Sequence, residues 1–175
     1  MMATLQTLVV ALVRSRLDCG NIVLVGLLAN LTHQLQSVLY AAACLINRLR
    51  TCDHITDELI NLHWLWVSDG IQYKLAVLAY KALHVGVPSS LVCVTNLPGR
   101  RTLRSVGSNS LLVPPFKLST VGGRAYAVAG AVHLWNKLSD NVTSARSLST
   151  IRNRLKLTLF QQSFSDIILW HYLLY

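Results

Sequence analysis

Charge is what this chain has least of. Only 13% of its 175 residues are charged, where ordinary domains carry about 25%. None of the six aspartates (Asp18, Asp53, Asp57, Asp69, Asp140, Asp166) stands next to another, so no aspartate pair is present to hold two metal ions. The six histidines (His33, His54, His63, His84, His133, His171) never fall in HExxH order, and each alone reads as a packed or surface side chain. No CxxC pair occurs among Cys19, Cys44, Cys52 and Cys93, which argues against a zinc ribbon and for reduced thiols in an intracellular protein. A Gly-rich phosphate loop and a GxSxG elbow are also missing. No catalytic constellation, metal or cofactor is expected. The opening "MMATLQTLVVALVRSR" lacks a basic leader and a clear cleavage site, so a signal peptide is not expected. The sequon "NVT" at Asn141 is then a pattern only. No Asp, Glu, Lys or Arg lies between Asp18 and Arg48. Asn21, Asn30, Thr32, Gln34 and Gln36 would need partners in lipid, so the window does not read as a membrane span.

What the chain does have is apolar surface and positive charge. It is 53% hydrophobic, with mean hydropathy +0.45. That is enough for a core, with apolar surface left over. The net charge is +9, and it is unevenly placed. Residues 1–95 carry six basic and five acidic side chains, a balance of +1. Residues 96–175 carry ten basic and two acidic ones, a balance of +8. A basic half suggests a polyanionic partner, nucleic acid before a membrane surface. The plain alternative is a basic solvated face.

The pattern is mainly α. Residues 5–17 read as a helix with Leu5, Leu8, Val9 and Leu12 on one face. "CGNIVLVG" is a strand or a buried helical turn. Over 31–50, Leu31, Leu35, Val38, Ala42, Leu45 and Leu49 make an inward stripe, with Arg48 and Arg50 favouring the last turn. Thr56 is positioned to cap a helix that ends near Leu62, with Asp57 and Glu58 in its first turn. Ser68 is positioned to cap the next, with Ile71, Leu75, Leu78 and Ala82 inward and Gly86 and Pro88 ending it. Residues 95–123 are rich in Gly, Pro and Ser and basic, an irregular loop with a short strand at Leu111–Val113. A helix over 124–138 follows. Ser147 or Ser149 caps a final one, with Ile151, Leu155 and Leu159 inward. The organisation read from this is a nearly neutral helical half (1–94), a basic loop (95–123), a basic helical segment (124–164) and an apolar tail (165–175).

The candidate site is basic. Arg100, Arg101, Arg104, Lys117 and Arg124 lie in or beside the loop, where they suit a phosphate backbone. Arg152, Arg154 and Lys156 form a second group away from the last helix's inward stripe. Trp64, Trp66 and Tyr73 in "HWLWVSDGIQYK" suit either base stacking or a helix joint. Trp135 reads as core.

In order along the chain, "SRLDCGNIVLVGL", "LQSVLYAAACLI", "DHITDELINLHWLWVSDGIQYKLAVLAYKALHVGVPSSL", "RTLRS", "GGRAYAVAGAVHLWNKL" and "SLSTIRNRLKLTLF" resemble LINE-like, or jockey-like, non-LTR retrotransposon reverse transcriptases. The resemblance covers roughly residues 14–164 and falls downstream of the polymerase palm. It implies a thumb-side helical region of an RNA-directed DNA polymerase that contacts RNA or DNA. The missing upstream polymerase region is a second partner it implies. The palm's catalytic aspartates match no position here, so no catalytic residue is carried over and no activity of the chain's own is expected. Trp66 and Ser139 stand where the family usually has proline, which loosens two joints. The tail "SDIILWHYLLY" has no family counterpart. These departures imply a decayed or partial element copy. In the family pattern "HWL" joins two helices, which makes Trp64 a core anchor. For Trp66, at the missing proline, core and stacking readings stay open. The competing function is a helical protein-interaction module. A membrane-surface binder is weakest, because no long amphipathic helix carries a basic face.

Overall fold

A computed structural model describes residues 2–20, 24, 26, 28–49, 54–84, 110–112 and 132–165. They are mainly helical, and among them no sheet forms. The helices are α1 (Met2–Val9), a π-helical turn (Val10–Arg14), α2 (Ser15–Gly20), α3 (Ala29–Asn47), α4 (Ile55–Asn61), α5 (Val67–His84), α6 (His133–Trp135), α7 (Asp140–Thr143) and α8 (Leu148–Ser163). The chain divides into two compact units. The first is Met1–Ile71 with Leu159–Tyr175, and the second is Gln72–Thr158.

In the first unit, the helix expected over 5–17 is three pieces, with the π turn between α1 and α2. The Ser15 hydroxyl donates back to the Ala11 carbonyl. This is a local bond that serine offers readily in a helix. The window "CGNIVLVG" enters the described residues only at the end of α2 and at turns around Leu24 and Gly26.

The inward face of α3 differs from the expected stripe. Gln36, Leu39, Ala42, Ala43 and Ile46 are buried, while Leu31, Val38 and Leu45 are exposed. Most of the residues from Val38 to Ile46 are apolar, so this half of the helix is greasy nearly all round and periodicity does not choose its face. A polar residue does: the Gln36 Oε1 accepts from the Val67 N–H at 2.8 Å. That N–H opens α5, where no earlier carbonyl can reach it. Gln36 therefore does the capping expected of Ser68, which lies inside the helix. Thr56 likewise lies inside α4, whose cap is His54 without a side-chain bond.

Two helices of this unit stop on left-handed residues that are not glycine, Arg48 and His63, both at φ 54°. Arg48 is thus the stop of α3 and not part of its last turn. Its N–H and that of Leu49 both donate to the Cys44 carbonyl. At the end of α4, the His63 N–H donates to Ile60 at 2.9 Å and the Trp64 N–H to Leu59 at 2.8 Å. That pair of bonds is a Schellman motif, whose apolar contact falls between the residues here filled by Leu59 and Trp64. Both are buried, at 0% and 6% exposure. Trp64 is thus core, as the "HWL" joint implied. An Asn47 to Glu58 side-chain bond ties the end of α3 to α4.

Trp66 is also built in. Its ring meets Tyr40 edge-on at 6.1 Å and Phe164 at 6.3 Å. Phe164 meets Phe160 at 4.8 Å, and Phe160 stacks on His63 at 6.0 Å. Five rings thus run in a continuous ladder through the joint, α3 and the end of α8. Burial pushes the Tyr40 hydroxyl above its ordinary pKa, and the Gln36 side chain works against that rise. Asp69 accepts from the Ser163 hydroxyl at 2.5 Å beside the ladder.

In the second unit, the expected stripe of α5 is partly right. Leu75 is buried, Leu78 and Ala82 are half-buried, and Ala76, Val77, Ala79 and Tyr80 are buried as well. The Tyr80 hydroxyl donates to the Ala145 carbonyl at 3.1 Å. Its ring stacks on His84 at 4.1 Å and tilts against Trp135 at 6.5 Å. Trp135 is 1% exposed, as expected of core. Leu111 forms no described strand. Its N–H and carbonyl are both taken by the Asn136 side-chain amide, at 2.8 and 3.0 Å. The rest of the 95–123 loop, residues 124–131 and the tail from 166 on lie outside the described residues.

Candidate nucleic-acid interface

The described part of the basic site sits on α8. Ser147 is its cap: the hydroxyl accepts from the Thr150 N–H at 3.2 Å, satisfying one of the first turn's open donors. Ile151, Leu155 and Leu159 are buried at 0 to 3% exposure, which sets the helix's rotation. The inward stripe read from the sequence is the one observed.

That rotation separates the three cations. Arg152 and Lys156 are exposed. They are four residues apart and hence neighbours on one face. Arg154, two positions from each, is half-buried, and its Nη1 donates to the Asn141 carbonyl of α7. A guanidinium held on a backbone carbonyl is a structural strut, so the outward pair is Arg152 and Lys156. Arg100, Arg101, Arg104, Lys117 and Arg124 lie outside the described residues.

Two cations absent from the candidate set share the second unit and are exposed: Lys137 and Arg146. Arg146 directly precedes the Ser147 cap. They were legible as part of the ten basic residues after position 95. Neither falls in a cluster, so proximity in sequence passed them over.

The choice between base stacking and a helix joint is answered by burial. Trp64 and Trp135 are buried, Trp66 is half-buried with its ring against Tyr40 and Phe164, and Tyr73 is half-buried. The described tryptophans belong to packing. What the α8 face offers is cationic and fits phosphate oxygens, which position a nucleic acid without reading its bases.

Among the described residues, no group of three His, Cys, Asp or Glu side chains could hold a metal ion. No described helix is long and apolar enough to cross a membrane. Cys19 and Cys44 are free thiols. Comparison with family models, curated proteins and solved structures gave no match.

Proposed function

We propose that this chain is the helical region following the palm of a LINE-like retrotransposon reverse transcriptase, that it holds RNA or DNA by the phosphate backbone, and that it has no polymerase activity of its own. The observation that carries the binding is the outward pair Arg152 and Lys156 on α8, in a half of the chain with a balance of +8. The ordered series of resembling segments supports the origin. So does the "HWL" turn between α4 and α5, where the resemblance implies a joint between two helices.

The test is RNA binding by the full chain across a salt series. Each phosphate contact releases counterions, so log affinity falls linearly with log salt. Replacing Arg152 and Lys156 together with Gln is expected to reduce that slope by about 2. Binding that ignores salt, or a slope unchanged in the double variant, would overturn the reading.

A second reading has its own observation. Leu31, Val38 and Leu45 repeat at seven-residue intervals on the outer face of α3 and are 39, 48 and 57% exposed. Such a stripe suits a helical interaction module that docks a second copy of this chain. No charged side chain lies between Leu31 and Leu45, apart from His33 if protonated, so two copies of a basic protein could meet there without repulsion. Salt-insensitive self-association, lost in Val38→Glu, would favour this reading over the first.

A further inference from the structure

The outward face of α8 is not cationic throughout. Its centre lies opposite the buried stripe of Ile151 and Leu155. Each residue advances about 100° round an α-helix, which puts Asn153 and Leu157 there, one turn apart. Both are exposed. Leu157 is 61% exposed, the one large apolar side chain that α8 turns to solvent. Arg152 and Lys156 each precede one of these two by a single position, so both cations lie on the same flank of the centre. On the other flank, Arg154 is held by the Asn141 carbonyl.

The cations position a nucleic acid without reading it. What lies beside them can do more. With Arg152 and Lys156 on the phosphates of one strand, the centre of the face points to the groove floor, where the base edges are. A carboxamide there bonds an adenine edge at both N6 and N7, and an apolar side chain touches the thymine methyl group. Asn153 and Leu157 supply one of each. A lone exposed leucine needs no explanation, but this one stands one turn from a solvent-facing carboxamide and beside two outward cations. The major groove of B-form DNA admits an α-helix. In A-form RNA that groove is too deep and narrow for side chains to read.

We infer that α8 reads a groove: it lies in the major groove of B-form DNA, with Arg152 and Lys156 on one strand's phosphates and Asn153 and Leu157 on A·T base edges. This rests on the nucleic-acid reading of the same helix and narrows its partner to duplex DNA.

The experiment is binding of the full chain to three duplexes of equal length: alternating dA·dT, alternating dG·dC and alternating A·U RNA. The dA·dT duplex is expected to bind tightest. Asn153→Ala should weaken it by about tenfold, the size of one lost bidentate base contact. The salt slope should not change, because the phosphate contacts remain. Leu157→Ala should cost less. Uracil in place of thymine removes the methyl group and leaves the protein untouched. The wild type should then fall to the level of Leu157→Ala, and that variant should lose nothing more. Equal affinity for the three duplexes, an Asn153→Ala chain that binds dA·dT as the wild type does, or no response to uracil would overturn the inference. Duplexes bound alike with a steep salt slope would still leave the phosphate reading standing. Binding to none of them with a salt dependence would sink that reading too.

Discussion

The two units use aromatic residues and charge in opposite ways. The first closes on a ladder of five rings from Tyr40 to His63, and its longest helix, α3, contains no Asp, Glu, Lys or Arg. The second packs one tyrosine between His84 and Trp135 and turns Arg146, Arg152 and Lys156 to solvent. One unit spends its distinctive side chains on cohesion. The other presents them. Aromatic content near "HWLWV" therefore says where the protein is held together, and basic content says where to look for a partner.

The largest expected effect tests the cohesive side. Trp64→Ala removes a buried indole at the Schellman turn and should cost about 3–5 kcal/mol, read from the denaturant midpoint. Amide exchange should accelerate most over Leu59–Ile71. Equal acceleration over Ile151–Leu155 would erase the distinction between the units.

On the other side, Arg154→Gln and Arg152→Gln should part company. The first loses the strut to Asn141 and should cost about 1–2 kcal/mol of stability, with little change in the salt slope of RNA binding. The second should leave stability within about 0.5 kcal/mol and lower the slope. Identical behaviour would show that α8 has no inward and outward cations.

A smaller effect of opposite sign is expected at Arg48. A left-handed residue with a Cβ is strained, and glycine relieves this at some cost in chain entropy. Arg48→Gly should raise stability by about 0.5–1 kcal/mol in thermal or urea unfolding. At His63 the same change should gain less, because it also removes the ring that stacks on Phe160.

The smallest effect is a pH dependence confined to the ladder. Burial raises the Tyr40 pKa above 10.0 in the folded chain, so the unfolded chain loses this proton first. The sign follows: stability is full below the unfolded pKa and falls as pH rises from there towards the folded one. Tyr40→Phe should flatten that part of the alkaline decline in urea midpoints measured between pH 9 and 11. An unchanged decline would place its source at other tyrosines.

What could be read beforehand follows from how local its cause is. The inward face of α8 was legible because Ile151, Leu155 and Leu159 alternate with polar and basic residues. The Trp64 joint was legible through the resemblance, in which "HWL" joins two helices; the residues alone left stacking and packing open. The face of α3 was not legible, since from Val38 to Ile46 it is apolar on nearly every side. What decides it is one amide bond between Gln36 and Val67, 31 positions apart. The grouping of Arg154 with Arg152 followed the sign of their charge, although residues two apart point to different sides of a helix. Trp66 stayed open because one ring it packs against, Phe164, is remote in sequence.

That remoteness also has a meaning in time. Asp69 and Ser163, beside the ladder, are 94 positions apart. A ribosome adding about 5–20 residues per second needs roughly 5–20 s to travel between them. Throughout that interval the joint at His63–Trp66 is made but its last rings are not. Phe160 and Phe164 of the first unit are therefore added only after the whole second unit has been synthesised. The order of synthesis makes the basic unit the first that can be completed.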